Sequence, residues 1–137
     1  MTRINVVPVE ELSDQWLIAE YRELPRVIKQ KIDISDAPEK YCLGKGHMKW
    51  ARKHWRFIFD RLYYIKEEMK NRGFKPNFDV EGLFKYGKKI PVSLEDCWYF
   101  PTTIDFKLNQ QRLIEKYKLK PDWYRWTNRN KPKWLEV

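Results

Sequence analysis

Glycine, cysteine and histidine are scarce in this chain of 137 residues, which contains five, two and two of them. Two cysteines, Cys42 and Cys97, are too few for the disulfide framework of a small secreted domain, so we expect both thiols to be free. The two histidines, His47 and His54, form no zinc-binding spacing with a cysteine pair, and no cluster of carboxylates indicates a hydrolytic metal centre. Repeats and low-complexity tracts are also missing, which argues against a solenoid or a disordered chain.

Long apolar runs are missing as well. No stretch approaches the roughly 18 apolar residues of a membrane span, and no secretory signal precedes the first predicted element. The formal net charge is instead +9, from 28 basic and 19 acidic residues, while hydrophobic residues make up 42% of the chain. We therefore expect a folded cytoplasmic protein that binds a polyanion, either DNA, RNA or an anionic membrane surface.

Apolar residues at helical spacing predict three main helices. The first spans residues 13–31, with Ser13 and Asp14 at its start and a bend at Pro25. The second follows the apolar stripe from Trp55 to Met69 and ends at Gly73. The third spans 103–119 and begins with a capping box from Thr102 to Asp105.

The connections between these helices are long and carry turn residues. Residues 1–11 are expected to be extended, 32–49 to form a loop, and 74–100 to be irregular. The length suits one domain. The sequence thus predicts an all-α fold, a single compact domain over residues 1–137, and a monomer.

The C-terminal part of the chain combines basic and aromatic residues. Between Arg112 and Trp134 there are eight basic and two acidic residues. Arg112 and Lys116 are four positions apart and share one face of the third helix, and Trp123 and Tyr124 precede Arg125. Cations neutralise phosphates and aromatic rings stack on exposed bases, so this pattern favours nucleic-acid contact. The alternative is a solvated basic tail whose tryptophans pack on the core.

A second candidate lies within "AEYRELPRV", residues 19–27, where Glu23 stands between Arg22 and Arg26 on one side of a helix. A surface ion-pair ladder of little energetic value is one interpretation. The other is a phosphate-binding face with one carboxylate that stabilises a cation or takes a proton. Lys45, in the glycine turn from Gly44 to Gly46, is a further candidate for phosphate contact.

The start of the chain supplies a possible nucleophile. Thr2 is small, so Met1 should be removable, and the α-amine left on Thr2 has a reference pKa of about 7.7–8.0. A fraction of such an amine is neutral near pH 7, and arginines nearby would increase that fraction. An amine that attacks a sugar carbon can form an imine.

Several segments together resemble one family. "MTRIN", "LSDQ", "AEYRELPRV", "LGKGH", "RGF" and "KPDWYR" are similar to segments of the pyrimidine-dimer DNA glycosylases, the phage endonuclease V family of phages and bacteria. The resemblance extends over nearly the whole chain and is densest in residues 2–27. It implies an all-α fold with an extended N-terminal segment that threads between helices, and an enzyme that acts on cyclobutane dimers in double-stranded DNA. It implies no metal and no cofactor.

The resemblance also implies roles for particular residues. The α-amine of Thr2 would attack C1′, and Glu23 would stabilise the cationic sugar and assist proton transfer through an imine and a β-elimination. The remaining residues would bind DNA: Arg3, Gln15, Arg22, Arg26, Lys45, Arg112, Lys116, Trp123, Tyr124 and Arg125. The family is further described as kinking the duplex and flipping a base, which costs less at a dimer than in intact DNA.

The chain departs from the family at a few positions. Trp16 stands where a histidine is expected, and Trp126 and Thr127 stand where tyrosines are expected. These departures leave two alternatives open. One is a glycosylase with the same mechanism but a different damaged or modified base as its target, and the other is a DNA-binding module without catalysis.

Overall fold

Helices form all the regular structure of this protein, as seen in a computed structural model that describes residues 4–136. No strand occurs within that range. The α-helices are α1 (Asp14–Lys29), α2 (His47–Lys53), α3 (Trp55–Asn71), α4 (Phe84–Gly87) and α5 (Thr103–Leu119). Short 3-10 turns occur at Val9–Glu11, Glu81–Leu83 and Lys133–Leu135. The predicted all-α fold with three main helices, α1, α3 and α5, is confirmed.

The structure contains capping features at the predicted starts of α1 and α5 and at the predicted end of α3. The Ser13 hydroxyl accepts a hydrogen bond from the Trp16 amide at 3.1 Å and caps α1, which is slightly shorter than the predicted 13–31. Thr102 and Asp105 form the reciprocal capping box at the start of α5. After α3, Gly73 adopts a φ of 87°, a left-handed conformation that suits glycine at the end of a helix.

Two of the predicted connections were wrong in part, because they contain short helices. The segment 32–49 was expected to be a loop, but α2 begins at His47 without any side-chain cap. Its stability comes from packing, since Trp50 and Ala51 are fully buried. The segment 74–100 was expected to be irregular, but it contains a 3-10 turn that continues into α4. Neither short helix is long enough to show a helical period in the sequence.

The core lies mainly between α1 and α3. The predicted apolar stripe of α1, Leu17, Tyr21, Leu24 and Ile28, is buried against Ile58, Leu62 and Ile65 of α3. A smaller cluster forms around Trp55, Ile90 and Cys97. Within residues 4–136, no helix has both the length and the apolar content that a membrane crossing requires.

The N-terminal segment lies inside the structure, between helices. All residues from Ile4 to Val7 are buried, and this segment contacts α1, α2 and α5 through hydrogen bonds described below. Residues 1–3 and 137 lie outside the described part of the chain, so the expected roles of Thr2 and Arg3 fall outside it too.

Candidate active site

The face of α1 that points away from α3 carries the predicted Arg22, Glu23 and Arg26. Both arginines are exposed, whereas Glu23 is partly buried. Glu23 and Arg26 line a shallow recess of about 430 Å³ together with Lys29 and Gln30. A partly buried carboxylate is thus held beside cationic side chains, as the sequence predicted.

A larger groove of about 640 Å³ adjoins this face. Arg22, Arg26 and Lys29 line it from α1, and the segment after α3 forms the opposite wall with Phe78 and Lys85 among its residues. Asp79 is the acidic residue of the lining, and its carboxylate accepts the Gly82 amide of its own turn at 3.2 Å. The lining therefore carries four cations and one carboxylate, which favours an anionic occupant.

Beneath this face, the carboxylate of Glu20 is completely buried. Glu20 accepts a hydrogen bond from the Asn5 side-chain amide at 2.8 Å and forms an ion pair with Arg61 of α3. The Asn5 backbone amide donates to the same carboxylate at 3.3 Å. Removing one member of such a buried pair typically costs about 3–5 kcal/mol, because a buried charge is left without compensation. Glu20 therefore ties the N-terminal segment to α1 and α3 at once.

Asn109 of α5 holds the same segment from the other side. Its side-chain oxygen accepts the amides of Val6 and Val7 at 2.8 and 3.1 Å, and its amide donates to the Asn5 oxygen at 2.8 Å. Asn109 is fully buried. One side chain thus satisfies three polar groups of an extended segment that has no strand to pair with.

His47 of α2 fixes the first described residue. The Ile4 amide lies 3.3 Å from Nε2 of His47, while Nδ1 of His47 lies 2.7 Å from the Cys42 carbonyl. A carbonyl only accepts, so Nδ1 carries the proton and Nε2 accepts from Ile4. The Tyr41 hydroxyl donates to the Ile4 carbonyl at 2.9 Å. Burial lowers the pKa of His47 and keeps the ring neutral at pH 7, as this arrangement requires.

Arg112 and Lys116 lie on α5, on the side that approaches this segment. Both are partly buried, and they lie three and seven positions after Asn109, so they share the face of α5 that binds the N-terminal segment. Burial lowers the pKa of Lys116, and the neighbouring charge of Arg112 lowers it further. The predicted pair of cations therefore lies on the same helix face as Asn109.

The aromatic tail is fastened to the start of α1. Gln15 donates from its side chain to the Trp123 carbonyl at 2.9 Å and accepts the Arg125 amide at 3.1 Å. The carboxylate of Asp14 accepts both the amide and the hydroxyl of Thr127. Both ends of the Gln15 side-chain amide therefore bind the tail backbone, and its expected contact with DNA stays a prediction. Trp123 is 61% exposed at this point, so its ring faces solvent.

Trp16, the position where a histidine was expected, packs against the same tail. Its ring lies 4.6 Å from Tyr124 and 6.1 Å from Trp126, measured between ring centroids, and only 7% of the residue is exposed. Trp126 in turn donates to the Glu11 carbonyl at 3.0 Å. The two departures from the family pattern, at 16 and 126, are thus in contact with each other.

Arg129, one of the basic residues of the tail, is paired with a carboxylate of the protein. Arg129 donates two hydrogen bonds to Glu68 of α3, at 2.9 and 2.8 Å, and Arg72 donates to the same carboxylate at 2.8 Å. Arg72 also binds Asp14 at 3.0 Å. This network joins the tail to both long core helices. Some side chains of the tail therefore pack inward, as the alternative interpretation expected, while Trp123 and Lys133 are exposed. The contact of the tail with nucleic acid stays a prediction.

The structure places the described candidate residues on α1, in the glycine turn before α2, on α5 and in the tail. Lys45 is exposed in the turn between Gly44 and Gly46, next to the loop that binds His47. The sequence reasoning missed Glu20, Arg61 and Asn109. A signal existed for Glu20, because it lies on the apolar stripe of α1 between Leu17 and Leu24, where a carboxylate must be buried and paired.

The neutral state of His47 predicts a pH effect on the N-terminal segment. Protonation would turn Nε2 into a donor that faces the Ile4 amide. The contribution of His47 to stability is present above pH 6.5 and is lost as the pH falls through its lowered folded-state pKa. We expect the exchange protection of the Ile4 amide, measured by NMR, to fall over that range. Protection that persists after His47 has titrated would contradict this contact.

We predict that replacing Trp16 weakens the packing of the tail against α1. Trp16→His removes most of the ring contact with Tyr124 and Trp126 and should cost about 1–3 kcal/mol of unfolding free energy. Amide exchange should accelerate for residues 124–127 while the centre of α3 stays protected. Trp98→His is the matched control, since Trp98 is 41% exposed, and it should cost less than about 1 kcal/mol. Equal exchange in the two variants would refute the coupling.

Comparison with known families agrees with this site. A family model described as pyrimidine dimer DNA glycosylase matches residues 1–82, which include the N-terminal segment, Glu20, Glu23 and the groove wall up to Gly82. The match covers more than half of the chain, and it ends before α5 and the aromatic tail. The chain therefore belongs to the pyrimidine dimer DNA glycosylase family and is a DNA repair glycosylase whose substrate is DNA.

Proposed function

We propose that this glycosylase also cleaves the DNA strand, as an abasic-site lyase, and that both steps use the α-amine of Thr2 through an imine. Glu23 is the carboxylate that supports the reaction. The substrate is a cyclobutane pyrimidine dimer in double-stranded DNA. The chain acts as a monomer and as one domain over residues 1–137, in the cytoplasm of a bacterial or phage-infected cell.

The observation that carries this proposal is the buried anchoring of Ile4–Val7. Asn5 lies beside Glu20, while Val9 and Glu10 lie beside Arg72, which binds Asp14 at the start of α1. From Glu10 back to Asn5 the segment therefore runs along α1, from the start of the helix to Glu20. The proposal makes this anchored segment the support for the amine of Thr2, because a nucleophile has to be positioned for attack.

The proposed chemistry needs one amine and one carboxylate. The lone pair of the amine forms a bond to C1′ while the glycosidic bond breaks. The electron pair of the glycosidic bond leaves with the base. Loss of the amine protons and opening of the sugar then give an imine. Removal of a proton from C2′ expels the 3′ phosphate, and water releases the enzyme. Glu23 stabilises the cationic sugar and transfers protons in these steps.

Cations on several elements support the proposed phosphate binding. Arg22 and Arg26 belong to α1, Lys45 to the glycine turn before α2, and Arg112 and Lys116 to α5. We assign Arg3 to the same set by its position in the chain. Cations distributed over several elements suit a kinked backbone whose phosphates approach from several directions.

The groove beside Arg22 and Arg26 suits an extruded base. Its lining combines cations with the apolar surfaces of Pro25, Phe78 and Leu83. Phosphate contacts at the rim and an apolar wall for the ring are what a flipped nucleotide requires. A dimer pairs and stacks poorly, so flipping costs less there than in intact DNA.

The tail supplies the proposed contact with the lesion. Trp123 is exposed and is held by Gln15, so its ring can stack on a distorted base step without losing conformational freedom on binding. Tyr124 is partly buried against Trp16 and Arg125 is exposed beside it. In this proposal Gln15 acts through the tail backbone, and Tyr124 supports Trp123 and Arg125.

A related lesion remains the second candidate substrate, and Trp16 is the observation that favours it. A histidine at this position could reach polar groups of a substrate, whereas the indole of Trp16 is packed into the tail. The range of accepted bases can therefore differ from that of relatives. Comparing irradiated DNA with duplexes that carry other damaged bases separates the two candidates.

Glu23→Gln tests the proposed mechanism. The amide keeps the size of the side chain but removes its charge and its proton transfer, so cutting of a dimer duplex should fall at least about 100-fold. Binding of the same duplex should be retained. Strand cutting is measured on a gel and binding by fluorescence anisotropy. Glu67→Gln, which alters an exposed carboxylate on α3, is the matched control and should cut normally.

The outcome separates the proposed steps. Base release without strand cutting in the variant would assign Glu23 to the lyase step alone. Normal cutting by the variant would contradict the role of Glu23. Binding without base release by the unmodified protein would leave only a DNA-binding module.

A further inference from the structure

The region just beyond the family match, residues 84–90, presents a cluster of lysines on an exposed surface. Lys85, Lys88 and Lys89 are all exposed, as is Tyr86 at 38%. Lys29, in the last turn of α1, is exposed next to them. We name Lys29, Lys85, Tyr86, Lys88 and Lys89 the lysine shelf.

The lysines of the shelf gather around one ring. The ammonium groups of Lys29, Lys85 and Lys89 lie 5.5, 5.4 and 5.9 Å from the centroid of Tyr86. Such cation–π contacts are worth about 0.5–1 kcal/mol each at exposed sites. Like charges are thereby held close together on the surface.

No salt bridge pairs these lysines with a carboxylate in the part of the chain that the structure describes. Within residues 4–136, the salt bridges involve other cations, and none joins a carboxylate to a lysine of the shelf. Asp79, the acidic residue of the adjoining groove, binds its own turn. The shelf is therefore a concentrated positive surface whose mutual repulsion an external anion would relieve.

The shelf is also held rigidly. A side chain at Gly87 would collide with the ring of Trp55, so the backbone of α4 packs directly on that ring. Phe84 contacts Trp55 and Phe59 edge to face, with centroids 5.4 Å away from each. Ile90 is buried in the same cluster. The apolar residues fix the backbone at both ends while the lysines between them face solvent.

The shelf continues the wall of the groove described above. Lys85 and Tyr86 line that groove together with Arg22 and Arg26, whereas Lys88 and Lys89 are exposed outside its lining. A polyanion in the groove is therefore close to further cations on the shelf. Several cations on one surface favour a ligand that carries many charges, such as the phosphate backbone of DNA.

We propose that the lysine shelf binds the phosphate backbone of the duplex outside the lesion, and that it does so equally for damaged and undamaged DNA. The proposal rests on the proposed function of the neighbouring site for its substrate, double-stranded DNA. It assigns the shelf to phosphate contact, which carries no sequence or lesion information. The shelf thus contributes to affinity and to movement along DNA, while the groove and Trp123 provide selectivity.

The test compares Lys88→Gln/Lys89→Gln, which alters two shelf lysines outside the groove lining, with Lys66→Gln/Lys70→Gln. Both double variants remove two charges, and Lys66 and Lys70 lie toward the far end of α3, about 10 and 16 Å along the helix axis from Phe59, which contacts Phe84 next to the shelf. Binding to an undamaged duplex and to the same duplex with one thymine dimer is measured by anisotropy between 50 and 200 mM salt.

We expect the shelf variant to weaken binding to both duplexes by the same factor, about threefold to tenfold, and to lower the salt slope by up to about 1.8. For the control variant, the loss of affinity and the change in salt slope should each be less than half of those of the shelf variant. Equal effects of the two variants would overturn the proposal, because net charge alone would explain them. A loss confined to the dimer duplex would also overturn it and assign the shelf to lesion recognition.

These outcomes do not depend on catalysis. Binding is measured on intact duplexes with Glu23→Gln as the background, so a protein that fails to cut still gives a salt slope. If no imine adduct forms but the shelf variant still lowers affinity and salt slope, this inference holds. A normal mechanism with an unchanged slope would overturn the inference alone.

Discussion

The buried carboxylate of Glu20 is the constraint on which the rest of the site depends. A charge without solvent has to be paired, and Glu20 finds its partners in Arg61 and in Asn5. The extended N-terminal segment is thereby part of the core and not a loose arm. Asn109 and His47 complete the anchoring through groups that are themselves buried. The cost of burying these polar groups is offset because each finds a hydrogen-bond partner, and the result is a fixed position for residues 4–7 against α1, α2 and α5.

The tail and the start of α1 form the second coupled unit. Gln15 holds the tail backbone, Asp14 holds Thr127, and Trp16 packs on Tyr124 and Trp126. Consecutive residues of one helix turn thus bind one segment more than 100 positions away in sequence. Because the rings of Trp16 and Trp126 are in contact, we expect the effects of substituting them to be coupled.

Much of the fold could be predicted from the sequence because the long helices carry both a clear apolar period and capping residues. Ser13 and Thr102 cap the starts of helices through their side chains, and Gly73 ends a helix through its positive φ. Such features depend on neighbouring residues, so they can be recognised in the sequence. The helix α2 was missed because packing of Trp50, and not local preference, stabilises it. The candidate residues Arg22, Glu23 and Arg26 were identified from their spacing. Arg61 and Asn109 were not, since their partners lie far away in sequence and only the fold brings them together. Gln15 was placed on the correct element but its partner is the tail backbone, which no local pattern reveals.

The central claim is that the anchored segment delivers the amine of Thr2 to the sugar of a damaged nucleotide. Borohydride reduction during turnover of a duplex with one thymine dimer converts an imine into a stable adduct, and mass mapping identifies the attached residue. The account predicts an adduct at the α-amine of Thr2. Lys116 is the most instructive alternative, because burial lowers its pKa and it lies near the same segment. An adduct at Lys116, or no adduct on either a dimer duplex or a plain abasic duplex, would contradict the claim.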